Sequence, residues 1–208
     1  MQNNFENITA IIFDLGGVLL NIDYNKTKEA FEQLGVKDFH NMYSQAEANP
    51  LFERLEIGAI KEHDFYNHMQ QHVDPAYNSK NIEQAWNAML LDFRMESLNE
   101  LKSLKKKYKL YLLSNTNYIH LKEFNKIYEH NVSKEPFASL FDKVYFSHEI
   151  GLRKPNVEPF EYVVKENNLI PAQTLFIDDS LQNVEGARKA GLKVIHFTGD
   201  MKVENLGL

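Results

Sequence analysis

Cysteine is absent from these 208 residues. That absence removes disulfides, thiolate nucleophiles and cysteine metal sites, and it suits a cytoplasmic protein. Positive charge is also in short supply. The chain has 23 Lys and Arg against 29 Asp and Glu, a formal net charge of -6. The basic footprint of a nucleic-acid binder is therefore missing, and the balance favours a soluble protein that handles small molecules. No apolar run approaches the roughly 20 residues needed to cross a bilayer, so no membrane partner is expected. The opening residues, Met1-Gln2-Asn3-Asn4-Phe5-Glu6-Asn7, carry no basic segment, which argues against a secretory signal. Repeats, low-complexity tracts and long linkers are missing too. What remains is ordinary globular composition, 43% hydrophobic and 25% charged, in a chain long enough for one core with a smaller insert.

Residues 8–14 read as a short apolar strand, Thr9-Ala10-Ile11-Ile12-Phe13, ending on the carboxylate of Asp14. An apolar run of this kind suits a parallel strand covered on both faces. Further strands are expected near 109–114, 143–147, 174–178 and 193–197. Helices are expected between them, including Met95 to Lys107, with its basic end, and Leu181 to Ala190. Alternating strands and helices predict an α/β fold, a doubly wound, Rossmann-like parallel sheet. From about Tyr24 to Leu91 the pattern is helical instead, with Phe31, Leu34, Leu51, Phe52, Leu55, Phe65, Met69, Trp86, Met89 and Leu90 at helical spacing. Gly35, Gly58 and Pro75 divide this region into several helices. The chain is thus expected to have a core of residues 1–20 and 92–208 and a helical cap of residues 21–91. The cap leaves the core beside Asp14, where it can act as a lid.

In open α/β sheets ligands bind outside the carboxyl ends of the strands. Four segments place chemistry there. Asp14 precedes Gly16-Gly17 and can be a nucleophile, a metal ligand or a turn cap. Ser114-Asn115 ends the second strand and offers a hydroxyl, an amide and backbone N–H groups, either as a phosphate cradle or as a helix cap. Lys154, stiffened by Pro155, is a compact cation for phosphate or paired acids, unless it is a solvated surface lysine. Asp178-Asp179 closes a buried strand. A helix cap explains one of these acids, but two adjacent carboxylates repel unless a cation is present. Hard oxygen donors suit magnesium.

Taken together, Asp14-Leu15-Gly16-Gly17-Val18-Leu19, Ser114-Asn115, Lys154 and Asp178-Asp179 resemble, in order and spacing, the four motifs of the haloacid dehalogenase superfamily of phosphatases. The helical insert resembles that superfamily's C1-type cap. Ser114-Asn115-Thr116-Asn117, Arg153-Lys154-Pro155 and the stretch from Asp178 to Ala187 look most like the branch holding bacterial α-glucose-1-phosphate phosphatases. The resemblance implies a magnesium-dependent phosphomonoesterase acting on a small phosphorylated metabolite. It makes Asp14 the nucleophile and a magnesium ligand, with the Gly16 carbonyl as another ligand. Ser114, Asn115 and Lys154 bind the phosphoryl group, Asp179 is the direct metal ligand, and Asp178 stands behind it.

One departure matters. Where most of these phosphatases have a second Asp, two residues after the nucleophile, this chain has Gly16. Three readings follow. The substrate has a good leaving group, such as the anomeric oxygen of a sugar 1-phosphate. Asp23 swings in to supply the acid. Or the protein binds a phosphorylated ligand without turnover. A flavin mononucleotide or nucleotide phosphatase is the alternative substrate class, and a 2-haloacid dehalogenase ranks below it. Specificity is expected from Arg54, Glu56 and Lys61 in the cap, turned toward the crevice at Gly58, unless they form a solvated helix end. Trp86 is expected in the core, and His120 in a cap or surface role, with substrate contact as the alternative.

Overall fold

The computed structural model describes residue 5 and residues 7–37, 39–43 and 50–208, without the side chains of His40 and Asn41. The opening segment read for a signal therefore lies mostly outside the described residues. In chain order the first half contains β1 (Ala10–Phe13), β2 (Leu20–Ile22), α1 (Tyr24–Gln33), α2 (Phe39–Met42), α3 (Pro50–Glu56), α4 (Glu62–Met69), α5 (Ser79–Asn87) and β3 (Leu90–Phe93). The second half contains α6 (Met95–Leu104), β4 (Lys109–Ser114), α7 (Tyr118–Asn131), β5 (Lys143–Phe146), α8 (Ser147–Ile150), α9 (Glu158–Glu166), β6 (Thr174–Asp178), α10 (Leu181–Lys189) and β7 (Lys193–His196).

Five strands make one parallel sheet in the order β5-β4-β1-β6-β7. The two-residue period of the strands divides their side chains between two cores. Ile11 and Phe13 pack with Leu110, Leu112, Leu175 and Ile177 against Leu98, Leu101 and Leu104 of α6 and Phe124 of α7. Ala10 and Ile12 pack with Tyr111, Leu113 and Phe176 against Phe160 and Val163 of α9 and Ala187 of α10. Both faces are covered, which is why these strands read as continuous apolar runs. The expected α/β sheet is present.

The helices between β2 and β3 have their own core, in which Phe31, Phe39, Phe52, Phe65 and Trp86 are all essentially inaccessible. Helices are not the whole insert. β2 and β3 pair antiparallel, Leu20 with Phe93 and Ile22 with Leu90, so Leu90 and Leu91 are strand rather than helix. The apolar Met89-Leu90-Leu91 run fits either state, and the backbone partner across the ribbon decides it. The expected boundaries at 20/21 and 91/92 both fall within this ribbon. α6 also stops earlier than expected, at Leu104, because the chain turns through Lys105–Lys107 to start β4 in register with Ala10. Among the described residues no helix is long and apolar enough to cross a membrane.

α10 packs closely on the loop that follows Lys154. A Cβ at Gly186 would lie 2.1 Å from the Pro155 carbonyl oxygen. Alanine is the better helix former, yet Gly186→Ala should destabilise the protein by about 1–3 kcal/mol through overpacking. Urea denaturation checks this, and an unchanged midpoint would mean that the helix can retreat freely.

Candidate functional site

The sheet order brings the sequence candidates together. β1 lies between β4 and β6, so the segment ending in Asp14 is flanked by those ending in Ser114 and Asp178. Asp14 continues the pairing by one residue, its N–H donating to the Ile177 carbonyl at 2.9 Å. The site is thus set by strand register rather than by a flexible loop.

Lys154, 1% exposed, enters from the loop between α8 and α9. Its Nζ donates to Asp14 Oδ1 at 2.7 Å and to Asp178 Oδ2 at 2.6 Å, and stands 5.2 Å from the centre of the Phe176 ring. A solvated surface lysine is excluded. Its backbone is clamped by Asn115, whose side-chain amide donates to the Lys154 carbonyl at 2.8 Å and whose Oδ1 accepts from the Lys154 N–H at 2.9 Å. The Asn115 side chain therefore holds the lysine loop, in place of the free phosphate-binding amide expected. Ser114 and Thr116 line the cavity beside it.

Asp178 is fully buried and uses both carboxylate oxygens. Oδ1 accepts from the Ser180 N–H at 2.8 Å, and the Asn183 side chain donates to both oxygens at 3.0 and 3.1 Å. Asp178 thus anchors the start of α10 as well as Lys154. Asp179 is half-buried and lies under the β1–β2 turn. Gly17 has φ +73°, and a Cβ there would be 2.2 Å from Asp179 Oδ2, so this turn demands glycine. Carboxylate oxygens of Asp14, Asp178 and Asp179 lie within 4.8 Å of one another.

Burial pushes Asp14 up, to about 7, against the opposing pull of Lys154 and with help from Asp178 and Asp179. Burial alone would lower Lys154, but Asp14 and Asp178 hold it above its ordinary value. Three carboxylates and the Lys154 ammonium thus converge in low-dielectric surroundings. A hard divalent cation fits this donor set and would draw Asp14 back to its ionised form.

Above the carboxylates is a cavity of about 130 Å³, walled by both the sheet and the helical insert. Glu56, the last residue of α3, is on its wall and buried. It accepts from Arg153 Nε at 3.0 Å and Nη2 at 2.9 Å, and from the Tyr43 hydroxyl at 3.4 Å. Burial raises Glu56 above the usual carboxylate range despite Arg153. Tyr24 also lines the cavity. Burial, then the charges of Asp179 and Glu56, push its phenol well above its ordinary value, so it stays protonated. Gly58, with φ +70°, lets the chain after α3 approach the core, since a Cβ there would be 2.2 Å from the His148 carbonyl oxygen.

The remaining candidates stand elsewhere. Asp23 caps α1, accepting from the Asn25 N–H at 3.0 Å, and is not on the cavity wall. Nor are Arg54 and Lys61, both exposed: Arg54 faces a separate shallow groove and Lys61 caps α4. Arg54 and Glu56 are two residues apart, on opposite sides of α3, and only Glu56 lies on the inward side. Gly16 lines the cavity, and a Cβ on it would meet Ile22 Cδ1 at 2.6 Å. His120 is buried in the cavity wall, not at the surface. Sequence reasoning missed Arg153, Tyr24 and Tyr43. Arg153 was visible only as a neighbour of Lys154, and its acidic partner is 97 residues away.

A family model described as haloacid dehalogenase-like hydrolase matches residues 8–191. The chain belongs to this family. The hydrolase is 30% identical over 186 residues to the D-ribitol-5-phosphate phosphatase of Bacteroides thetaiotaomicron, covering 89% of this chain and 90% of the relative. It is 29% identical over 195 residues to a sesquiterpene phosphatase of Aspergillus oryzae, covering 92% and 91%. A haloacid dehalogenase-family enzyme of Bacteroides thetaiotaomicron, solved with magnesium and inorganic phosphate, superposes with a TM-score of 0.89 at 30% identity, over 96% of this chain and 98% of that one. A 2-haloacid dehalogenase from Pseudomonas syringae shares the fold, with a TM-score of 0.59 at 14% identity.

Lys154 carries most of the site's electrostatic balance. Lys154→Met should cost about 3–5 kcal/mol, because Asp14 and Asp178 would be left buried without their cation. Adding Asp178→Asn should recover part of that loss. Urea unfolding of both variants without added divalent cation reads the two effects, and equal stability of wild type and Lys154→Met would contradict this account.

Proposed function

We propose that the hydrolase is a magnesium-dependent phosphatase of small phosphomonoesters, with sugar or polyol phosphates preferred. The observation that carries this reading is the Lys154 ammonium bridging Asp14 and Asp178, with Asp179 alongside, at the carboxyl ends of neighbouring strands. The relatives named for phosphatase activity, and the magnesium and phosphate in a similar structure, support it. The helical insert, residues 21–91, acts as a C1-type cap over the crevice.

In this reading Asp14 and Asp179 hold magnesium directly, with the Gly16 carbonyl. Asp178, whose oxygens are occupied by Lys154, Ser180 and Asn183, stands behind them. The metal supplies positive charge that offsets repulsion between carboxylate and phosphate. Asp14 attacks phosphorus, the P–O bond to the alcohol breaks, and the departing oxygen takes up a proton from solvent water. Water then attacks the phosphorus of the aspartyl-phosphate, releasing inorganic phosphate and restoring the carboxylate. Ser114 and Lys154 receive the phosphoryl oxygens.

Substrate size is bounded by the cavity between sheet and helical insert. Its volume of about 130 Å³ is well below the roughly 300–1,000 Å³ of pockets that enclose drug-sized ligands, which disfavours flavin mononucleotide. Tyr24, Tyr43, Glu56, Arg153 and His120 give the wall hydrogen-bonding character. That suits hydroxyl-rich esters such as α-glucose 1-phosphate or a pentitol phosphate. With Ile22 beside Gly16, no second acid follows the nucleophile.

Phosphate release from α-glucose 1-phosphate and D-ribitol 5-phosphate, with magnesium or with EDTA, tests the reading. The wild type should turn over at least one of them only with magnesium. Asp14→Asn should lower the rate by roughly 10³-fold or more, with its circular dichroism spectrum unchanged. Release that persists in EDTA or in Asp14→Asn would reject the mechanism. No release from any small phosphate ester would favour a protein that binds phosphorylated ligands without turnover.

A further inference from the structure

His120 offers a free hydrogen-bonding atom in the cavity wall. The ring, 6% exposed, belongs to α7 and stacks on Trp86 of the cap, with ring centres 4.6 Å apart and planes 20° apart. Its Nδ1 lies 2.9 Å from the side-chain oxygen of Asn87, also from the cap. An amide oxygen only accepts, so Nδ1 carries the ring proton and Nε2 presents a lone pair. Nε2 is buried and has no partner. Burial depresses this histidine to about 3, so the ring stays neutral under working conditions. Buried polar atoms are nearly always satisfied; Trp86 Nε1, Asn117 Nδ2 and His148 Nε2 are unpartnered as well, but of these four residues only His120 lines the cavity.

We propose that His120 is a specificity-determining residue whose Nε2 accepts a hydrogen bond from a hydroxyl group of the substrate. The inference rests on the phosphatase reading and narrows its substrate class: the alcohol part of the ester carries an O–H donor directed at His120. Purely apolar esters leave Nε2 unsatisfied and are disfavoured. The cap participates directly, since Asn87 sets which ring nitrogen holds the proton and Trp86 fixes the ring plane. The cap thus gives His120 its acceptor character as well as its position.

The test uses the full chain carrying Asp14→Asn, so that ligands bind without being consumed. With magnesium present, calorimetry measures the affinities of D-ribitol 5-phosphate and of pentyl phosphate, which has the same carbon count without hydroxyls. The polyol should bind more tightly. Adding His120→Phe should shrink that margin by roughly five- to a hundredfold, with pentyl phosphate still bound. Adding His120→Gln, which keeps an acceptor, should retain part of the margin. A margin undiminished in His120→Phe, or the absence of any margin, would overturn the proposal and leave Nε2 facing bound water. Phosphate release by the wild type is read separately. A His120-dependent margin without turnover would support this inference while rejecting the catalytic reading.

Discussion

A buried lysine held between two aspartates is the constraint around which the site is built. Lys154 has no access to water, so its charge is tolerable only because Asp14 and Asp178 reach it at hydrogen-bond distance. Those acids come from β1 and β6, and the lysine from a loop beyond β5. The ion pairs therefore require the complete strand order. Asp178 spends its other bonds on Ser180 and Asn183, which ties the same charges to the start of α10. Asn115 extends the network to β4 by gripping the backbone of Lys154 on both its N–H and its carbonyl. Lys154 thus ties together four separate chain segments, and the three carboxylates gathered there form a donor set suited to a divalent cation.

The helical insert meets the core on two sides of the cavity, through different physics. On one side Glu56 forms a two-pronged pair with Arg153, the residue just before Lys154. A buried pair of this kind brings little net stability, because desolvation of both charges offsets their attraction. It does bring orientation, since Arg153 Nε and Nη2 converge on Glu56 Oε2 while Tyr43 holds Oε1. On the other side the contact is aromatic: Trp86 lies flat against His120 of α7, with Asn87 completing the ring's hydrogen bonding. The crevice over the carboxylates is therefore bounded by a charged contact and a neutral one, and the Lys154 loop is linked to the helical insert by a single residue step from Arg153 to Lys154.

Gly16 and Gly17 show how closely this turn is packed. Gly17 admits no side chain, because Asp179 occupies that space and the backbone is left-handed. At Gly16 the neighbouring volume belongs to Ile22 of β2. The β2–β3 ribbon thus joins cap to core and also covers the position where a second acid would project.

Much of the fold was legible because its signals are local. Apolar runs covered on both faces announced the strands, and helical spacing announced the insert. Asp14, Ser114, Lys154 and Asp178-Asp179 stood out because polar chemistry follows directly on buried strands or breaks an apolar context. The β2–β3 ribbon was not legible, since a short apolar run such as Met89-Leu90-Leu91 takes its conformation from a partner some seventy residues earlier. The same limit explains the cap candidates. Arg54, Glu56 and Lys61 look alike in sequence, yet helix phase and the placement of α3 bring only Glu56 to the cavity. The amino-acid sequence by itself determined the fold class, the order of the elements and the chemical inventory at the strand ends, because burial patterns and residue chemistry act over a few neighbours. Only the tertiary structure decided that Lys154 is buried, that Asn115 serves the lysine loop, that Arg153 pairs with Glu56 and that His120 faces the cavity. Each of these depends on contacts between segments far apart in the chain, and no local pattern encodes such distances.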